Sequence, residues 1–253
     1  MKPLIGQHAI PAEKRFLWRG GEITRLEAFT DAVFAFAVTL LVVSLEVPKT
    51  FAELLMAMKG FVSFAICFTI LVQVWYEHYV FSRRYGLQTP YTVFLNSVLI
   101  FVVLFFVYPL KFLFTLLVGG LSGGVLATHP LEETIRLSQV PALMVIYSLG
   151  FAAVSAVFTL LFRYAYNLRK ELDLNEYEAL RTRHAYYNQL AMVVLALVVG
   201  ATALLLPLRF SGLSGYLYSL IGVYYWMAGT VLGKRETLAW ERVQAQSGDS
   251  NSA

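Results

Sequence analysis

Several polar and ionisable side chains lie in or beside otherwise apolar stretches of the sequence. An unpaired carboxylate in an apolar segment costs several kcal/mol, and such a residue marks a candidate functional site. Indole N–H, imidazole and amide groups all form hydrogen bonds with a carboxylate. We therefore predict a polar network that joins the first three apolar helices, made of Arg25, Asp31, Trp75, His78 and Asn96.

The same region allows a second chemistry. Asp31, Glu77 and His78 are three titratable groups near one membrane face, and they are compatible with the proton relay of a secondary transporter. Transporters place such groups near the bilayer midplane on broken helices, whereas the apolar stretch after Asp31 contains no Gly or Pro. The sequence favours a structural pairing role for Asp31. For His78 it leaves two roles open, a packing residue or a pH sensor.

The composition is that of a helical membrane protein. Of the 253 residues, 58% are hydrophobic and only 14% are charged, against about 25% charged residues in soluble domains. This balance excludes a soluble enzyme, a disordered protein and a nucleic-acid binder. The sequence lacks the HExxH, GxSxG, Walker A and GxGxxG motifs, and one cysteine, Cys67, provides no disulfide framework. The histidines show no ligand spacing, so we expect no metal site and no cofactor.

Six stretches bounded by charged residues predict six transmembrane helices, since about 20 apolar residues cross a bilayer. They are bracketed by positions 31–46, 59–77, 84–111, 136–163, 183–209 and 209–234. The glycine-rich stretch 112–131 is expected to extend the third helix past Pro109 and to end in an outer loop. The predicted domains are an N-terminal tail (1–24), a transmembrane domain (25–234) and a partly disordered C-terminal tail (235–253).

Basic residues determine the expected orientation. Fifteen Lys and Arg side chains fall on the side of the two termini, and five fall on the opposite side. Positively charged loops remain in the cytoplasm, so both termini should be cytoplasmic in a multi-pass protein of the cell membrane. The first 15 residues contain no apolar core and do not predict a cleavable signal peptide.

The first transmembrane helix has two unlike faces. At 100° per residue, Phe29, Phe36, Leu40 and Val43 form one apolar stripe, and Asp31 lies on the opposite side. The carboxylate can then pair with side chains of the neighbouring helices, while the apolar stripe faces away from those helices. Such stripes are usually packing surfaces, and from the sequence alone a membrane protein without transport activity remains an alternative.

The run Arg25-x-x-x-Phe29-Thr30-Asp31 resembles the Arg-x-x-x-Phe-Ser-Asp signature of the transmembrane protein 175 family, the lysosomal potassium channels and their prokaryotic homologues. The pair Trp75-x-x-His78 and the later Asn96 are similar to that family's pattern too. This resemblance covers the first three helices well and the last three by hydropathy only. It adds Phe29 and Thr30 to the residues of the expected network.

The resemblance implies a potassium-preferring cation channel whose pore forms around the first helix of each subunit in a homotetramer. Its expected partners are copies of itself, the bilayer and monovalent cations, with potassium as the permeant ion. Residue by residue, the family's apolar constriction corresponds to Phe36, with further layers at Leu40 and Val43 and a pore-facing hydroxyl at Thr39. Phe36 replaces the usual isoleucine or leucine at the constriction.

Overall fold

The computed structural model describes residues 15–43, 47–128 and 134–250, and it describes Val43 and residues 246–250 by their backbone only. These residues are helical apart from residues 15–24 and the connecting segments, which confirms the all-α class. Two 3₁₀ segments, Leu137–Gln139 and Leu208–Ser219, accompany the α-helices. In chain order the α-helices are α1 (Arg25–Val43), α2 (Phe51–Lys59), α3 (Phe61–Tyr85), α4 (Pro90–Leu121), α5 (Val140–Asn167), α6 (Glu176–Leu205) and α7 (Leu220–Ser250).

Four helical stretches of the described residues are long and apolar enough to cross a membrane. They are α3, α4, α5 with its preceding 3₁₀ turn, and α6. Helix α1 has 19 residues but includes Arg25, Glu27 and Asp31. The protein is therefore an all-helical protein with at least four membrane-length helices, and the count of six crossings remains a prediction.

A shared apolar core fixes the position of α1. Its Phe34, Ala37 and Leu41 side chains are buried in a cluster supplied mainly by α3, α4 and α5. Helix α1 packs directly against α3 and α4, and α5 and α6 form the most extensive helix pair. One face of α1 is thus held by the bundle, and the opposite face has no neighbour among the residues that the structure describes.

Helix α4 continues through Pro109 and ends at Leu121, which confirms that the third apolar stretch extends into the glycine-rich region. Proline lacks a backbone N–H and interrupts the hydrogen-bond ladder of a helix. The Tyr147 hydroxyl of α5 donates a hydrogen bond to the Pro109 carbonyl and ties this part of α4 to its neighbour. Gly123 and Gly124 have positive φ angles in the turn that follows.

The C-terminal part of the chain differs from the sequence prediction in two ways. The interval 209–234 was expected to form one helix, but residues Leu208–Ser219 form 3₁₀ turns and α7 begins only at Leu220. Gly212 and Gly215 lower helix propensity there, and the Ser211 and Ser214 hydroxyls donate to carbonyls three residues earlier. The second correction is that α7 continues as a helix to Ser250, where a partly disordered tail was expected; residues 251–253 lie outside the described part.

The described part of the N-terminal tail packs against the bundle. Phe16 is buried, and its ring meets the Tyr85 ring of α3 edge-on at 5.7 Å. The Thr24 hydroxyl accepts a hydrogen bond from the Glu27 amide, and the Glu27 carboxylate accepts one from the Thr24 amide. This reciprocal pair caps the start of α1. Residues 1–14 of the expected tail lie outside the described residues.

The close contact between α4 and α5 depends on Gly150. A Cβ atom at this position would overlap the Phe106 ring of α4. We expect Gly150→Ala to lower the free energy of unfolding by about 1–3 kcal/mol, the usual cost of overpacking. Gly229 of α7 has open space around it, so Gly229→Ala is the matched control. Thermal unfolding in detergent measures both variants, and equal melting temperatures would contradict the packing argument.

Candidate functional site

The buried side of α1 carries the first polar contact of the site. The Trp75 indole N–H donates to an Asp31 carboxylate oxygen at 2.8 Å. Asp31 follows Phe29 by two residues in α1, and it lies on the side of the helix that faces α3. This hydrogen bond satisfies part of a carboxylate that the membrane would otherwise leave unpaired.

A second polar contact joins α3 to α4. Nε2 of His78 lies 3.1 Å from Oδ1 of Asn96, and both residues are buried. Since the Asn96 oxygen is an acceptor, Nε2 carries the proton in this arrangement. The Phe34 ring of α1 lies 6.5 Å from the His78 ring, centroid to centroid. Asp31, Trp75, His78 and Asn96 thus link α1, α3 and α4 in series.

Three other residues of the expected network occupy different positions. Thr30 is buried, and its hydroxyl donates to the Leu26 carbonyl at 2.8 Å, so its hydrogen bond stays within α1. Arg25 is exposed at the start of α1, and no ion pair joins it to Asp31 among the described residues. Phe29 is 57% exposed and lies on the free face.

The free face of α1 is mostly apolar. Phe36 is 55% exposed, and Val42 and Thr39 are exposed as well. Alanines at positions 28, 32 and 35 lie between these larger side chains. The Thr39 hydroxyl donates to the Phe36 carbonyl at 2.7 Å, which directs its hydrogen back to the helix. A strip of aromatic, small and hydroxyl side chains therefore runs along α1 opposite the polar contacts.

Two residues assigned to the apolar stripe behave differently. Leu40 is half-buried and packs against the core cluster, so it lies at the edge of the free face. Val43 is the last residue of α1, and its side chain lies outside the described part.

Glu77 points away from the Asp31 contact. Its carboxylate accepts a hydrogen bond from the Gln189 amide of α6 at 3.4 Å and lines a cavity of 360 Å³ between α3, α6 and α7. Glu236 of α7 borders the same cavity and pairs with Arg181 at 2.6 Å. Groups of three His, Cys, Asp or Glu side chains able to hold a metal ion do not occur in the part of the chain that the structure describes.

Comparison with known proteins identifies the family. Residues 25–107, which span α1 to most of α4, match the family model "Endosomal/lysosomal potassium channel TMEM175". A potassium channel of Marivirga tractuosa is 38% identical over 226 residues, which cover 87% of this chain and 92% of that protein. The chain belongs to the TMEM175 family. A potassium channel of Chamaesiphon minutus is 27% identical over 191 residues, 70% of this chain and 84% of that protein.

A crystal structure supports the same assignment. The chain matches a variant of the potassium channel MtTMEM175, crystallised with a nanobody–MBP fusion protein, with a TM-score of 0.77 and 38% identity. The match covers 87% of this chain and 97% of that one. The TMEM175 family is a family of membrane channels, so this protein is a channel-family member and not an enzyme.

Two sets of contacts around α1 could not be expected from the sequence. The buried Glu178 of α6 pairs with Arg19 at 2.6 Å, 159 residues away in the chain. Lys111 of α4 donates to the Leu41 carbonyl at 3.4 Å, near the C-terminal end of α1, where helix carbonyls lack partners. Neither contact has a local sequence signature, although the Asn175-x-x-Glu178 capping pattern indicates a helix start.

The Asp31–Trp75 contact is testable by replacing the indole with an aromatic ring that has no N–H donor. Trp75→Phe keeps an aromatic ring but removes the only N–H that the indole offers, so it leaves a carboxylate oxygen without its donor. We expect the free energy of unfolding to fall by about 1–3 kcal/mol. Trp226→Phe, at an exposed position of α7, is the control. Detergent unfolding curves compare the two, and an unchanged Trp75→Phe curve would refute a stabilising role.

Proposed function

We propose that this protein is a potassium-preferring cation channel in which α1 of each of four subunits lines a central pore. The observation that carries the proposal is the free face of α1 in the family-matched segment. This face lies opposite the side that α3 and α4 hold, and it combines Phe36, Thr39 and Val42 with small residues. Four such faces around one axis form an apolar pathway with a ring of hydroxyl groups.

The proposed assembly is a homotetramer with six crossings per chain. Helix α1 and residues 208–234 add the first and last crossings to the four membrane-length stretches, and both termini are cytoplasmic. Two relatives of this chain carry the name potassium channel, and one of them aligns with 87% of this chain. A fourfold particle mass in detergent supports this assembly, and a stable monomer contradicts it.

The narrow point in the proposed pore is formed by Phe36. Apolar constrictions control permeation by excluding water, so an ion sheds part of its hydration shell there. Sodium holds its water more tightly than potassium, and a pathway limited by dehydration therefore prefers potassium. Leu40, at the edge of the free face, and Val43, at the end of α1, form the next proposed layers.

Thr39 supplies the polar atom of the pathway. Because its hydroxyl hydrogen is donated to the Phe36 carbonyl, the oxygen lone pairs remain available to a cation. This oxygen compensates for part of the water that an ion loses at Phe36, one helical turn away. The three residues of the transporter alternative are not hydrogen-bonded to one another in the described part of the chain. Asp31 bonds to a residue of α3, Glu77 to one of α6 and His78 to one of α4.

Shortening the constriction residue tests the pathway. We expect Phe36→Ala to raise potassium flux roughly tenfold, the change that about 1.4 kcal/mol of barrier produces, and to reduce selectivity over sodium. The matched control is Phe101→Ala, at an exposed position of α4. Liposome flux and planar-bilayer reversal potentials provide the measurement. If Phe36→Ala and Leu40→Ala both leave the currents unchanged, α1 does not line the pore.

The hydroxyl is tested at nearly constant side-chain volume. We expect Thr39→Val to lower potassium conductance several-fold, because the dehydrated ion loses an oxygen that nothing replaces. Thr39→Ser keeps the oxygen and serves as the control. Single-channel recording distinguishes the two variants. Equal conductance in Thr39→Val and the unsubstituted channel would remove Thr39 from the pathway.

A further inference from the structure

Residues 16–21, which we call the N-terminal strap, precede α1 and lie in a socket made by distant parts of the chain. The socket comprises the end of α3, the turn between α5 and α6, and the first turn of α6. Phe16 fills its apolar part, with the Arg84 guanidinium 5.0 Å from the ring centroid. The strap is therefore an integral part of the fold.

The Arg19 guanidinium is fully hydrogen-bonded in this socket. Nε donates to the Leu172 carbonyl at 2.6 Å, and Nη2 donates to the Asp173 carbonyl at 2.9 Å and to Glu178 at 2.6 Å. Nη1 donates to the Leu17 carbonyl at 3.1 Å and to Glu178 at 3.3 Å. All five N–H groups of the side chain are thus used, which no lysine can reproduce.

The Glu178 carboxylate also takes part in several hydrogen bonds in the socket. Its side chain is only 1% exposed. Besides the two bonds from Arg19, its carboxylate accepts the Leu17 amide at 2.6 Å and the Asn175 amide at 3.2 Å. Removing one member of such a buried pair leaves an uncompensated charge, which is far more disruptive than losing an exposed ion pair.

The strap is also held tightly against α3. The Gly20 amide donates to the Arg83 carbonyl at 3.0 Å, and the Arg83 guanidinium donates to the Gly21 carbonyl at 2.8 Å. A Cβ atom on Gly20 would lie 2.7 Å from the Ser82 carbonyl oxygen, so only glycine permits this approach. Gly86, with φ of 59°, ends α3 beside the Arg19 backbone.

We infer that Arg19 and Glu178 are positioning residues that fix the cytoplasmic end of the pore helix to α6. Only residues 22–24 separate the strap from α1. Because a connection of this length is short even when fully extended, the first residue of α1 lies within about 14 Å of Gly21. Helix α1 otherwise packs against α3 and α4, so the strap adds a direct connection to α6. This inference rests on the proposed function, because it assumes that the position of α1 determines the pore.

The position of α1 is measured separately from ion flow. In a Cys67→Ala background, spin labels at Ile23→Cys, beside the start of α1, and Lys170→Cys, in the turn before α6, report one distance within the chain by pulsed EPR. The full-length protein is reconstituted with an excess of unlabelled protein. Glu178→Gln is compared with Glu176→Gln, which alters an exposed pair with Arg242 on the same helix.

We expect Glu178→Gln to broaden the Ile23–Lys170 distance distribution and to change open probability about fivefold or more, a typical size for coupling between sites. Unitary conductance and reversal potential should remain unchanged, because the residues of the constriction are intact. Glu176→Gln should match the unsubstituted protein. A loss of stability alone would not produce this separation between open probability and conductance.

Arg19→Lys keeps the positive charge but removes the planar guanidinium with its five N–H donors. It serves as the test variant if Glu178→Gln does not fold. The double variant Arg19→Gln/Glu178→Gln removes both charges and should recover part of the narrow distribution. Distances and open probability equal to those of Glu176→Gln would overturn the inference. If no variant of α1 alters the current, the proposed pore fails, whereas the distance measurement still decides whether the strap positions α1.

Discussion

The pairing of the Asp31 carboxylate determines the orientation of α1. A carboxylate in an apolar bundle requires a donor, and the Trp75 indole on α3 provides one. This contact turns one side of α1 towards α3 and α4, where Phe34, Ala37 and Leu41 complete the apolar packing. The opposite face, with Phe36 and Thr39, is then exposed as a geometric consequence.

A pore made of apolar side chains depends on accurate placement of its helices. Carbonyl or carboxylate rings bind ions strongly, whereas apolar rings act only through their width and dryness. In the proposed pore, small shifts of α1 therefore have a large effect on permeation. Three sets of contacts hold α1 in place: Trp75 contacts it near its start, Lys111 near its end, and the N-terminal strap lies just before its first residue.

The local parts of this arrangement could be predicted from the sequence. Helical periodicity separates Asp31 from the stripe of α1, and the spacing of Trp75 and His78 puts both on one face of α3. Contacts and breaks that no local pattern indicates could not be predicted. Arg19 and Glu178 meet across 159 positions, and the 3₁₀ segment 208–219 interrupts a stretch whose hydropathy alone suggests a continuous helix.

The hydrogen bond between Thr39 and Phe36 connects the proposed gate to the backbone of α1. The Thr39 hydroxyl donates to the carbonyl of Phe36, the residue proposed to form the constriction, so the oxygen and the ring belong to the same turn of α1. An apolar ring alone rejects sodium and potassium by their hydration costs, and an oxygen fixed beside it lowers the cost for an ion already partly dehydrated. In the proposed pore, selectivity therefore depends on the rigidity of α1 as much as on the identity of Phe36, since a mobile helix would let water pass with the ion.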